Sequence, residues 1–157
     1  MDALRKQLVE TIAGGQAHAT FEDAVKKFPA ELRGKKPHGS PHSAWQLLEH
    51  LRIAQHDILE FSRDPKHVSP KWPDAYWAKE AEPPTDSAWD ESIARFEKDQ
   101  KAFGKLISDP SLDLFAKLEH GDGQTLLREA LLIIDHNAYH VGQIVQLRVQ
   151  LGAWPGA

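Results

Sequence analysis

His136 and His140 stand four residues apart in the segment Asp135-His136-Asn137-Ala138-Tyr139-His140-Val141-Gly142-Gln143. On a helix that spacing stacks two imidazoles on one face, which is half of a metal site. Leu132, Ile133, Ile144 and Leu147 lie one and two turns away on the same stripe, so the pair points at a core. An imidazole left in a core without a partner costs roughly 1–3 kcal/mol. Two adjacent ones therefore need either a divalent ion or acidic partners on other helices, and spacing alone does not separate these readings. Zinc peptidases use the same spacing with a glutamate general base directly after the first histidine. Here that position is Asn137, so a peptidase of that kind is not expected.

Catalytic metal sites commonly take three protein ligands and leave a position for solvent or substrate. His50 is the best third candidate. It lies in a strongly helical run from Ala44 to Phe61, at the edge of a stripe formed by Leu47, Leu51, Ala54, Ile58 and Phe61. His56 sits between Arg52 and Glu60 at helical spacing and reads as a solvated strip. His18, His38, His42, His67 and His120 fall in or beside turns, where exposure is the default. Of these, His18 and His120 are the ones able to approach a pocket mouth. Three neutral imidazoles with an open coordination position lower the pKa of a bound water or thiol. Tyr139 is placed to donate a proton and Gln143 to orient a bound ligand. Equally, Tyr139 faces a neighbouring helix and Gln143 fills a buried polar gap. Asp57 and Asp135 are candidate acceptors for the ligand imidazoles, with a salt bridge or solvent exposure the expected fate of either.

The elements that must position these side chains are all helical, because no stretch alternates as a half-buried strand does. A first helix starts near Asp2 with Leu4, Leu8 and Ile12 as its apolar stripe and meets Gly14-Gly15. A second piece follows Thr20 and Asp23, which resemble a capping box, and ends near Pro29. Ser40-Pro41 predicts the start of the helix that carries His50, which ends near Arg63. The stretch from Lys66 to Thr85 is long and proline-rich, and its Trp72, Tyr76 and Trp77 are expected to anchor it to the bundle rather than wall a site. Asp86 predicts the cap of a further helix, with Trp89, Ile93, Phe96, Phe103 and Leu106 inward and Asp109-Pro110 as its stop. The last helix starts near Gln124 or Thr125 and reaches about Leu151. Long helices joined by two long connections predict an all-α four-helix bundle with crossovers.

Composition narrows the function. The 157 residues suit one domain, 1–157. A net charge of -4 argues against a duplex nucleic-acid partner, which selects a basic face. The longest apolar run, Ala130 to Ile134, is far below the ~18 residues of a membrane span, and the polar N-terminus suggests a cytoplasmic protein. With no cysteine, the chain has neither thiolate ligand nor sulfur nucleophile. Any thiol chemistry must arrive with a substrate.

Two segments, Ser43-Ala44-Trp45-Gln46-Leu47-Leu48-Glu49-His50 and Asp135 to Gln143, resemble the DinB-like (DinB/YfiT) superfamily. The likeness is closest to the branch with a tryptophan and a histidine on the second helix. It extends to Gly121-Asp122-Gly123-Gln124-Thr125 at the entry to the last helix and Leu151-Gly152-Ala153-Trp154-Pro155 at its end. The resemblance implies a four-helix bundle with one divalent metal, nickel or zinc, held by His50, His136 and His140. It further implies a homodimer and a small-molecule substrate. It points to a transferase using an external low-molecular-weight thiol or to a hydrolase, with a noncatalytic metal-binding or stress-response bundle as the competing class.

Overall fold

The computed structural model describes residues 2–155. Among these the chain forms five α-helices and no strand: α1 Asp2–Ala13, α2 Phe21–Val25, α3 Ala44–Arg63, α4 Ala88–Ser108 and α5 Leu126–Gln150. The four longer helices pack in a ring in which α1 and α3 each touch both α4 and α5, and the short α2 lies on α5. The all-α expectation holds. Long connections join α2 to α3 and α3 to α4, each containing a single 3-10 turn, Ala30–Leu32 and Asp74–Tyr76.

Helix boundaries follow local capping chemistry. Gly14 and Gly15 end α1 with φ of 87° and 80°, a region glycine enters without a Cβ penalty. Thr20 and Asp23 close a reciprocal capping box on α2, so aspartate serves where glutamate is usual. The start of α3 differs from the Ser40-Pro41 expectation. Its cap is Ser43, whose hydroxyl accepts from the Gln46 backbone while the Gln46 side chain accepts from the Ser43 backbone. Ser40 instead donates its hydroxyl to the His42 carbonyl, 2.8 Å away, in the preceding turn. The pattern Ser-x-x-Gln was the stronger local signal, because it satisfies two orphan amides rather than one. Likewise α4 starts after Ser87, not Asp86, with no side chain capping it.

Two apolar clusters fill the ring. One joins α2 to Leu47, Leu48 and Leu51 of α3, Trp89 and Phe96 of α4, and Val141, Ile144 and Leu147 of α5. The other joins Leu8 and Ile12 of α1 to Ile58 and Leu59, Phe103 and Ile107, and Leu126, Ala130 and Ile133. Along α3 the polar residues between the clusters are His50, Gln55 and Asp57; along α5 they are His136, Asn137 and His140. A polar belt therefore crosses the interior where the clusters meet. Below the histidines Gln55 donates to the Phe96 carbonyl at 2.8 Å and accepts from Asn137 at 2.8 Å, while the buried Asn137 Oδ1 has no hydrogen-bond partner.

The α3–α4 connection runs back along one stripe of α3. Ser43 donates to the Ala81 carbonyl, Gln46 to the Ala78 carbonyl at 3.1 Å, and His50 to the Tyr76 carbonyl at 2.9 Å. Asp57 accepts from the Tyr76 hydroxyl at 2.5 Å and binds His67 at 2.7 Å. Positions 43, 46, 50 and 57 recur at helical spacing, so one face of α3 holds the whole connection.

Candidate metal centre

His50 from the middle of α3 meets His136 and His140 from the middle of α5. One ring nitrogen of each lies within 4.8 Å of the others, and His50 Nε2 is 3.0 Å from His136 Nε2. Ring centroids are 4.8 Å apart for His50 and His136, and 4.5 Å for each of the other two pairs. His50 and His140 are buried, at 2% and 8% exposure, and His136 is half-buried.

Hydrogen bonds decide which nitrogens face inward. His50 Nδ1 points at the Tyr76 carbonyl, which only accepts, so Nδ1 carries the proton and Nε2 keeps its lone pair. His140 Nδ1 lies 2.7 Å from Gln143 Oε1, which assigns its proton the same way. His136 then donates its Nε2–H to His50 Nε2 when no cation is present. Around a tetrahedral ion with Zn–N bonds of about 2.0–2.1 Å, ligand nitrogens stand roughly 3.3 Å apart. Three imidazole nitrogens within 4.8 Å of one another could hold a divalent ion: His50 and His140 already keep Nε2 unprotonated, and His136 joins them once its Nε2 proton is released or carried on Nδ1.

Electrostatics favour the neutral rings that coordination needs. Burial pushes His136 down to about 4, assisted by His140 and His50 beside it. Burial likewise takes His140 down to about 4 against the opposing bond from Gln143. His50 is lowered by burial, partly offset by its bond to Tyr76.

Trp77 builds the wall around these rings. Its indole stacks on His50 with centroids 3.8 Å apart and planes 1° from parallel, and it meets His140 edge-on at 6.0 Å. His42 stacks on the other side of the same indole at 3.9 Å. The expectation that the loop aromatics only anchor the connection is therefore corrected for Trp77, which touches two rings of the centre. Trp72 is 68% exposed and contacts the Tyr76 ring edge. A cleft of about 250 Å³ opens beside the centre, lined in part by His38, His42, Gln143, Gln146 and Gln150. A separate groove of about 520 Å³ between α1 and α4 contains none of the three histidines.

Other expected residues fall less simply. Gln143 holds the His140 ring, with its Oε1 2.7 Å from Nδ1. Tyr139 is 64% exposed with its ring edge against His140, so it faces solvent and not a neighbouring helix. Asp57 does not touch the three clustered imidazoles; it binds His67 and Tyr76 instead. Asp135 is exposed. His42 and His67 are half-buried and packed, against the expectation of exposed turns. His56 pairs with Asp99 on the surface at 2.8 Å. His18 is exposed and lines a separate small crevice, and exposed His120 contacts the Phe61 carbonyl at 2.7 Å. The Tyr76 carbonyl had no sequence signal at all, because a backbone acceptor is independent of residue type. The Asp57 link was visible only as the spacing of seven from His50.

No helix among the described residues is long and apolar enough to cross a membrane. No curated protein and no solved structure matches the chain. A family model described as the DinB superfamily matches residues 13–144, a span that contains all three histidines, the whole of α3 and α4, and the connection laid along α3. With most of the chain matched and the helical fold and histidine cluster in place, the protein belongs to the DinB superfamily.

Proposed function

We propose that His50, His136 and His140 ligate one divalent ion, zinc or nickel, and that the protein is a metal-dependent enzyme acting on a small electrophile. The observation that carries this reading is the convergence of three neutral imidazoles whose outward Nδ1 atoms, on His50 and His140, are already committed to acceptors. A divalent ion held there supplies Lewis acidity, which makes a thiol or a water nucleophilic near neutral pH.

The chain's own residues supply orientation and access. Gln143 keeps the His140 ring turned, Trp77 holds His50 flat and excludes water from one side, and half-buried His136 with exposed Tyr139 marks the open side. Tyr139 is the candidate proton donor to a leaving group there. The chain has no cysteine, so a thiol nucleophile is an external low-molecular-weight one. In such a transfer the sulfur bonds to the electrophilic carbon, the leaving group departs with its electron pair, and the thiol proton is released. Water in place of the thiol gives hydrolysis.

Elemental analysis of tag-free protein purified without chelator tests the centre. One equivalent of metal is expected in the wild type and little in His136→Ala. A metal-free wild type that takes up no zinc or nickel overturns the reading. Electrophiles are then screened with and without small thiols; stoichiometric metal without turnover assigns the ion to stapling α3 to α5 instead.

A further inference from the structure

We propose that Tyr76 is the positioning residue of the centre: its hydroxyl, held by Asp57, sets its own carbonyl against His50 so that Nε2 is the nitrogen offered to the metal. The assignment deepens, and rests on, the reading of His50 as a ligand.

Asp57 follows His50 by seven residues, two turns of α3, and so stands on the same stripe about 10.5 Å along the axis. One residue of the α3–α4 connection spans that interval. Tyr76 gives its hydroxyl to Asp57 Oδ2 at 2.5 Å, while its carbonyl accepts from His50 Nδ1 at 2.9 Å. Both ends are buried: Tyr76 and Asp57 each retain only 9% exposure. The second carboxylate oxygen is occupied by His67 Nε2 at 2.7 Å, so Asp57 fixes the connection at two points. Trp77, next in the chain, is thereby laid flat on His50.

The geometry has a chemical consequence for the ring. A carbonyl accepts and never donates, so its position dictates which nitrogen of a neutral imidazole bears the proton. A carbonyl on a long connection holds that position only if the connection is tied down. The Tyr76 hydroxyl does this from within the same residue. Removing it leaves the Ala78 and Ala81 anchors near the start of α3, the His67–Asp57 bond and the Trp77 stack on His50, but no hydrogen bond from the Tyr76 side chain to fix its own carbonyl at His50. Hydrogen bonds behind metal-bound histidines typically govern metal affinity by about 10–100-fold.

The decisive measurement is the imidazole ¹⁵N spectrum of metal-free protein. Wild-type His50 should show a protonated Nδ1 and an unprotonated Nε2; the opposite tautomer overturns the proposal without any variant. In Tyr76→Phe the His50 signals should move toward a mixture of tautomers, and zinc affinity should fall about 10–100-fold. Asp57→Asn keeps an acceptor for the tyrosine hydroxyl and should retain the wild-type His50 pattern. Unchanged His50 nitrogen shifts in folded Tyr76→Phe sink the proposal even if that variant melts earlier, because lost stability alone does not require a tautomer change. A wild type that shows the expected tautomers yet binds no zinc or nickel refutes the metal reading, and with it the role of Tyr76 in a metal centre, while leaving the ring-orienting contact intact.

Discussion

At the scale of single residues, the centre depends on imidazoles that stay neutral. His136 and His140 titrate near 4, well below the ordinary 6.5, because burial penalises the charged ring and the neighbouring rings repel it. Protons therefore compete poorly with metal at moderately acid pH. Zinc affinity measured against pH should stay nearly level from 7 down to about 5 and fall steeply only as pH approaches about 4. A decline that sets in at 6.5 contradicts these low values. The same shift has a stability counterpart. A histidine whose folded pKa is depressed contributes nothing adverse above the unfolded value. Below it, the unfolded state takes up protons that the folded state refuses. Metal-free protein should accordingly lose stability between about 6.5 and about 4, and denaturant titrations across that window check the sign.

At the scale of elements, α3 is both a core helix and a rail. Its apolar positions fill two clusters, while Ser43, Gln46, His50 and Asp57 form a polar stripe that binds the connection to α4. The α2–α3 connection meets the same segment. A Cβ on Gly34 would stand 2.6 Å from Glu82 Cβ and 3.2 Å from Glu82 Cα, next to Ala81, which accepts from Ser43. Neither neighbour is the flexible end of a side chain, so backbone must move. Gly34→Ala is expected to destabilise the fold by about 1–3 kcal/mol, the usual cost of overpacking. Chemical denaturation reads this directly, and a variant as stable as wild type would show that the two connections are not held against one another. The polar belt between the clusters explains why α3 and α5 tolerate so many buried polar residues. Gln55 bonds to Asn137 and to the Phe96 carbonyl below the histidines, Asn137 Oδ1 is left without a partner, and the three rings above them form a group that could hold an ion.

At the scale of the whole molecule, the two halves of the centre come from helices separated by α4 and two connections in sequence and adjacent in the ring. A bound ion links α3 directly to α5, so binding is coupled to folding. Zinc at a hundredfold excess over its dissociation constant stabilises by about 2.7 kcal/mol. For a chain of this size roughly 2–4 °C accompany each kcal/mol. Thermal melts should rise by about 5–10 °C with zinc, return on chelation, and stay flat in His50→Ala. A shift that persists in His50→Ala would place the stabilising ion elsewhere.

Much of this was legible in the residues. Hydrophobic periodicity marked every long helix, because 3.6-residue spacing is a local property that survives without a structure. His136 and His140 were readable as a pair for the same reason, and His50 from its place at the edge of an apolar stripe. Composition excluded sulfur chemistry from the chain itself. Capping was less secure: two serine signals competed within four residues at the start of α3, and only the one able to close a reciprocal box prevailed. What tertiary structure alone decided was the far side of each ring. Trp77 between His42 and His50, the Tyr76 carbonyl at Nδ1, and the carboxylate of Asp57 two turns away come together through a long connection folded back on α3. Their proximity arises from packing across a sequence separation of 26 from His50 to Tyr76. Sequence periodicity extends along one helix and carries no information about a loop that returns to it.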